Sequence, residues 1–383
     1  MELRTAGPGD LEQIAALLAE RGEQEDALDH RLVVDDPDQG WESCAVVVDG
    51  DRVVSTLTLL DETLVLGGVE IPAGQVELVA TDREYEGRGL VRRLMAWAHE
   101  RSAARGHLAQ VMVGIPYFYR QFGYTYAIPI PPTRPVATPP PAVAGHVVRR
   151  AEVDDIKVMA ALQDGLQADL DLRMPHSAAC WRWLVAREGS TLWVVERDGV
   201  PVGTGRSADS QLTEVAAVDA AAEQALLHHV LGLGPEDEVE VEVTDRPGNR
   251  LAPFLGPPPR NAEMYCSRVA DPAKLLEHLR PLLSRRADGY DGDVVVSFFR
   301  SHVRFRCTDG QAGPMTAGGV LAGPASVGGA GVAPDLVPAL LFGPLGIEGL
   351  AERHPDVYPG PARELMAALF PPVRADLLTY YVP

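Results

Sequence analysis

Apolar side chains recur at two spacings along the first 130 residues, and each change of spacing marks a new element. Leu11, Ile14, Ala15, Leu17 and Leu18 fall on one helical face, so a helix is predicted from Asp10, placed to cap it, to about Arg21. Ala45–Val48 and Arg52–Leu60 flank Asp49-Gly50, a turn signal that predicts a hairpin, and Glu62–Leu66 continues in extended form. Val76, Leu78 and Val79 then read as a half-buried strand. That strand breaks at Glu86-Gly87-Arg88-Gly89, and Leu90, Leu94, Trp97 and Ala98 return to helical spacing. A strand Leu108–Gly114, a short helix with Tyr117 and Tyr119, and a strand Tyr124–Ile128 complete the series.

A strand that enters a glycine turn and opens a helix leaves backbone N–H groups unpaired at a positive dipole end. Such a turn is an anion cradle, and a pyrophosphate suits it. The loop alone is also compatible with a tight turn that holds no ligand. A dinucleotide fold needs a third spaced glycine, and Val91 stands there; a phosphate-binding lysine is also missing, because Lys157 and Lys274 are the only lysines. Together with the order of elements around it, the turn resembles that of the acetyl-CoA-dependent N-acetyltransferases of the GCN5-related superfamily. The resemblance covers roughly the first 130 residues. The family turn reads Gln/Arg-x-x-Gly-x-Gly/Ala, matched here by Glu86-Gly87-Arg88-Gly89-Leu90-Val91 with departures at both outer positions. Glu86 would repel a pyrophosphate, and Arg88, Arg92 and Arg93 are near enough in sequence to offset it. The resemblance implies that acetyl-CoA is the cosubstrate. Its phosphates would lie on residues Glu86, Gly87, Arg88, Gly89, Leu90 and Val91, with its thioester arm along the main chain of Val79 and Thr81.

The proline-rich stretch around Pro131–Gly145 reads as a stiff connector, after which the chain begins again. Val148–Ile156 echoes Leu3–Leu11. Leu192–Glu196, Asp198-Gly199 and Val200–Thr204 echo the first hairpin, and Gln211–Asp219 echoes Gln75–Asp82. The second copy then passes directly into a helix, Ala220–Leu231, without a glycine turn, so it is expected to bind no cofactor. A third composition starts near Glu263: a helix Pro272–Leu283, strands Asp293–Phe299 and His302–Cys307, a Gly/Ala-rich stretch to Ala333, then short helices at Asp335–Phe342, Ile347–Arg353 and Pro361–Phe370. This last part is similar to a sterol-carrier-like α+β domain. The expected fold class is α/β (α+β): two tandem acetyltransferase folds with mixed sheets, then that domain. The expected units are 1–130, a linker 131–146, a degenerate second copy 147–262, and 263–383. Their order resembles the enhanced-intracellular-survival-type N-acetyltransferases, which implies a homo-oligomer, possibly a hexamer. Some members of that family acetylate aminoglycosides, a substrate that architecture alone does not transfer.

Acetyl transfer to an amine needs a donor for the oxyanion, a proton for the departing thiolate and an acceptor for the ammonium proton. Tyr119 precedes Phe122-Gly123-Tyr124, and the family's matching Tyr-x-x-Phe-Gly-Tyr segment implies that it is the general acid; Tyr117 and Tyr124 compete with it. The resemblance implies the Pro383 carboxylate as base, and Glu77 acting through a water is the alternative. Between the first helix and the first hairpin lie Glu23, Glu25, Asp26, Asp29, His30, Asp35, Asp36, Asp38 and Trp41, either an acceptor-attracting surface or a solvated acidic loop. Trp181 and Trp183 are expected in the second copy's core.

A formal net charge of −20 speaks against nucleic acid and suits a cationic small-molecule amine. No apolar run approaches 18 residues and no charged-then-apolar leader opens the sequence, so neither a membrane span nor export is expected. Cys44, Cys180, Cys266 and Cys307 lack metal-ligand spacing and read as reduced cytoplasmic thiols, with a disulfide as the alternative; no metal is expected. Two other function classes remain: a binding protein for a lipid or other apolar ligand with an idle acetyltransferase fold, and an assembling or regulatory protein.

Overall fold

The computed structural model describes residues 1–115, 117–233, 241–287 and 289–379. The first unit contains strands β1 (Glu2–Thr5), β2 (Cys44–Asp49), β3 (Arg52–Leu66), β4 (Val69–Thr81), β5 (Ala109–Met112) and β6 (Thr125–Pro129), with helices α1 (Leu11–Arg21), α2 (Gln24–Asp35) and α3 (Leu90–Ala104). Where two strands were expected, β3 is one continuous strand of 15 residues. Side-chain alternation places Val46 and Val48 against Ile14, Leu17 and Leu18 of α1, and Ala45 and Val47 against Leu90, Leu94 and Ala98 of α3. The two helices therefore cover opposite faces of one sheet. Asp10 does not cap α1 with its side chain. It turns back to accept from the Gly7 N–H at 2.9 Å and to pair with Arg4 at 2.7 Å. Asp155, Glu152 and Arg149 repeat this arrangement at 2.8 and 2.7 Å.

The sheet runs β1-β2-β3-β4-β5, then Met264–Arg268, then β6. The inserted strand is antiparallel to both β5 and β6, so residues beyond 262 complete the first sheet. Only Ala73–Gln75 of β4 pair with β5, in parallel; beyond Gln75 the two strands diverge and the sheet splits. On the other edge of β4, Thr56 pairs with Ala80 and Thr58 with Glu77, so Leu78 and Val79 together face Leu57. Leu78 takes a φ of +52°. This is a β-bulge, which leaves an amide outside the ladder and shifts the alternation by one residue.

The second sheet is built from 133–135, 242–244, 211–217, 200–208, 191–197 and 146–150, in that order. Thr133–Pro135 lies in the stretch expected to be a linker; an edge strand tolerates its one proline because no ladder N–H is needed on the outer side. The bulge recurs: Thr204 pairs with Ala216 and Arg206 with Thr213, leaving Glu214 and Val215 opposite Gly205, with Glu214 at a φ of +55°. A third sheet joins 311–312, 302–308, 292–297, 330–332 and 357–358, with 316–318 beside 302–308. The helix expected over 272–283 is two, Pro272–His278 and Arg280–Arg286. Apolar side chains of this third part, among them Leu275, Val296, Phe342 and Phe370, form one core with Leu64, Leu66 and Ile71 of the first sheet. The chain thus matches the expected α/β class, with two bulged sheets in tandem and a third sheet after them.

Most of the acidic segment is a helix, α2, with a short turn at 36–40 after it. Its apolar Ala27, Val33 and Val34 bury α2, and Asp29 and His30 go in with them. Asp29 pairs with Arg187 at 2.9 Å, and Asp36 and Asp38 pair with Arg182 at 2.8 and 2.7 Å. These carboxylates therefore join the first unit to the second rather than lining an acceptor surface. Trp181 and Trp183 share that junction, packed in one cluster with Val33 and Leu60.

Candidate active site

The split beside β4 opens a groove of about 580 Å³. Val79, Thr81, Glu86, Gly87, Gly89, Leu90, Val91 and Tyr119 all line it, so eight of the site residues read from the sequence converge, together with Arg21, Tyr85, Arg92, Ile115, Phe118, Gln121 and Phe122. Arg88 does not line it. Its guanidinium folds back over the Tyr85 ring at 4.5 Å and donates to the Glu84 carbonyl at 2.8 Å. Pro383 lies outside the described residues.

Gly87 and Gly89 have φ values of +72° and +74°, where a Cβ is disfavoured, and the space beside both is open. The N–H groups of Gly87, Arg88, Gly89 and Leu90 donate to no backbone carbonyl among the described residues. No side chain caps α3, and its first turn has no acidic residue and instead carries Arg92 and Arg93. Both features oppose the helix dipole and become favourable once an anion sits at the N-terminus. Glu86 is offset by a residue that the sequence reading passed over. Arg21, at the end of α1, pairs with it at 2.5 Å, whereas Arg92 bonds Gln121 at 2.6 Å and Arg93 reaches toward the Met1 carbonyl at 3.5 Å.

Tyr119 sits on a 3-10 turn, Phe118–Phe122, between the Phe118 and Tyr124 rings. Its ring lies so close to Gly114 that a Cβ there would meet it at 2.5 Å. Gly114, two residues past β5, was a readable signal for that approach and was passed over. Burial, and then the charges of Glu77 and Cys266, push the Tyr119 phenol up to about 12, so it stays protonated and able to donate at neutral pH. The competitors separate cleanly. Tyr117 is three-quarters exposed, and Tyr124 is buried with its hydroxyl donating to Gln110 at 2.9 Å.

Glu77 stands where β4 leaves β5 and takes a hydrogen bond from Gln75. Burial pushes its carboxyl up to about 8, with Asp26 adding to the rise. Glu62, on the same face of β3, is raised to about 8 by burial and by Glu77. The chain's last described segment approaches the same junction. Ala375–Leu377 pairs with Leu172–Met174, Asp376 is held by buried Arg246 at 2.6 Å, and buried Thr379 meets the Tyr265 hydroxyl at 3.2 Å. All four cysteines are buried and free. Among the described residues no cluster has the makings of a metal site, and no helix is long and apolar enough to cross a membrane.

The groove has what an acyl-CoA requires: free amides and arginines at the glycine turn for phosphates, a bulged strand for the thioester arm, and a protonated phenol. Residues 2–127 match the family model of the acetyltransferase (GNAT) domain. No curated protein sequence matches the chain. Among solved structures, a GCN5-related N-acetyltransferase from Anabaena variabilis is similar over 98% of this chain and 97% of its own, at 14% identity and a TM-score of 0.70. A GCN5-related N-acetyltransferase from Kribbella flavida is similar over 99% and 100%, at 19% identity and a TM-score of 0.68. Eis1 from Mycobacterium abscessus is similar over the whole of both chains, at 15% identity and a TM-score of 0.62. At such identities the structures speak to the fold, which extends past the matched domain to the whole chain. Residues 2–127 are an acetyltransferase domain of the GNAT type, and through that domain the chain is an acyl-CoA-dependent acyltransferase.

Proposed function

We propose that this enzyme transfers the acetyl group of acetyl-CoA to a primary amine of a cationic small molecule, aminoglycoside-like or polyamine-like, by direct attack. The observation that carries the reading is the single groove joining an uncapped glycine turn, a strand bulge and buried Tyr119. The loop amides of residues 86–91, with the arginines beside them, hold the phosphates. The main chain of Val79 and Thr81 holds the pantetheine arm, and the amide freed by the bulge steadies the carbonyl oxygen as it becomes an oxyanion. Tyr119 gives its proton to the departing thiolate. The ammonium proton goes to Glu77 through a water or to the Pro383 carboxylate; a carboxyl near 8 is a matched base at slightly alkaline pH.

A net charge of −20 supports a cationic acceptor, although Asp29, Asp36 and Asp38 are engaged in the ion pairs described above. We read the chain as of the enhanced-intracellular-survival type, with units at 1–130, 147–262 and 263–383, a sterol-carrier-like third unit, a cytoplasmic location and a homo-oligomeric state. Whole-chain likeness in fold and four free thiols support this reading. Use as a carrier of apolar ligands is less well supported, because the apolar side chains of the third unit are packed into a core shared with the first sheet. The test is release of CoA from acetyl-CoA across a panel of polyamines and aminoglycosides, with acetylated product identified by mass. Thioester loss at the same rate with and without every amine would overturn the proposal.

A further inference from the structure

The geometry points to Arg21 as a phosphate-binding residue of the groove that Glu86 keeps occupied until the anion arrives. The inference rests on the acyl-CoA reading above and adds to it a residue outside the glycine turn.

Arg21 ends α1, with its side chain one-quarter exposed, and Glu86 opens the turn, half exposed. The two groups are 65 positions apart in sequence, and both line the groove that holds Gly87 and Gly89. Of the arginines near the turn, Arg88 is stacked on Tyr85 and turned out of the groove, and Arg93 reaches toward the Met1 carbonyl. The cations that line the groove are Arg21 and Arg92, and Arg92 is engaged by Gln121 and lies over the Phe122 ring at 5.4 Å. Arg21 is thus the groove's guanidinium whose side-chain partner, among the described residues, is a single carboxylate.

An ion pair this exposed contributes little, because water and salt screen it and two long side chains must be held still. A diphosphate brings at least two negative charges and oxygens spaced for a guanidinium fork, so it competes well for Arg21. The exchange also removes the difficulty that Glu86 presents at an anion site. Once Arg21 turns to the phosphate, the exposed Glu86 carboxylate can swing into solvent. Until then Glu86 holds the arginine at the groove and lowers net affinity, because each binding event must first break the pair.

Calorimetric titration of CoA into wild type, Glu86→Gln, Arg21→Ala and the double variant tests this, with folding checked by circular dichroism. Glu86→Gln should tighten CoA several-fold, because it frees Arg21 and removes a repulsion. Arg21→Ala should weaken CoA about tenfold or more, the usual scale for a lost charge-assisted contact. The double variant decides. It should bind about tenfold more weakly than Glu86→Gln; equal binding by the two would show that Arg21 only neutralises Glu86 and would overturn the proposal. Acetyl-pantetheine, which lacks the phosphates, should bind wild type and Arg21→Ala alike, and an equal loss for both ligands would also overturn it. Absence of CoA binding by folded wild type is a different failure and removes the acyl-CoA reading itself.

Discussion

The two copies of the fold meet their helices in opposite ways. Both carry the same bulge on the preceding strand, at Leu78 and at Glu214, and both place an aspartate after it, Asp82 and Asp219. In the second copy Asp219 is the helix cap, accepting from the Ala222 N–H at 3.0 Å, and Glu223 follows in the first turn. That helix supplies its own anion. In the first copy Asp82 caps a short 3-10 turn instead, and the glycine turn then delivers α3 without a cap and with arginines against its dipole. One scaffold has therefore kept local stability at this junction, and the other has given it up at the place where the proposed phosphate site lies.

The largest expected effect concerns the sheets rather than the junctions. The second sheet is closed by residues 133–244, whereas β5 and β6 are separated by Met264–Arg268. A fragment ending at residue 130 leaves both strands with unpaired edges. It should show no cooperative thermal transition, while a fragment 131–262 retains strand content by circular dichroism; a cooperative melt of the first fragment would break the contrast.

Tyr119→Phe comes next. It should lower turnover by about a hundredfold or more, with CoA affinity unchanged, whereas Tyr124→Phe should act mainly through stability. A loss in affinity that matched the loss in rate would recast Tyr119 as a packing residue.

The pH dependence follows from Glu62 and Glu77; in the second copy the position matching Glu77 is Thr213, and the bulge carboxylate Glu214 is held below the usual carboxylate range by Arg206 and His176. Folding raises both carboxyls from 4.5 to about 8, so the folded state favours their protonated forms. Their contribution to stability is complete below about pH 4.5 and is lost as pH climbs toward 8. The slope approaches ~1.4 kcal/mol per pH unit for each proton in that window. Glu62→Gln should flatten the fall in melting temperature between pH 5 and 8, and an unchanged slope would mean that the group stays ionised.

Transplanting the cap tests the comparison directly. Gly89→Asp gives α3 the anion that the second copy already has. It should weaken CoA about tenfold or more, while Gly89→Asn, which tolerates the same left-handed backbone without the charge, should weaken it less. Equal losses would mean that backbone shape, not charge, governs the cradle.

Much of this contrast was legible in residues 76–94, because glycine placement and helical spacing are local properties. The missing turn before Ala220 was legible for the same reason. The bulge was not: Val76–Ala80 is nearly all apolar, and a one-residue change of phase leaves no mark when both faces are buried. Strand Met264–Arg268 could belong to any sheet edge, and its partners lie more than 130 positions away. Asp29 within α2 and Asp36 at its end hid the helix's periodicity, since both are buried where Arg187 and Arg182 of the second copy meet them. Arg21 read as an ordinary helix end for a similar reason, as its partner is 65 positions away.

Asp219→Ala is the smallest expected effect and the most specific. The carboxylate accepts from the Ala222 N–H and is paired with Arg197 at 2.7 Å, interactions that hold it below the usual carboxylate range. Loss of an N-cap costs about 1 kcal/mol, and the half-exposed ion pair adds little. The variant should melt a few degrees lower, with CoA affinity and turnover unchanged, because no anion is to be held at that helix. The depressed carboxyl makes a second signature: its stabilisation is present above the unfolded value near 3.8 and is lost as pH falls through the lower folded value. Wild type and variant should therefore converge in strongly acidic solution and separate again toward neutrality. A measurable change in CoA binding by Asp219→Ala would mean that the second junction also contributes to the ligand site, and the division of labour between the copies would fail.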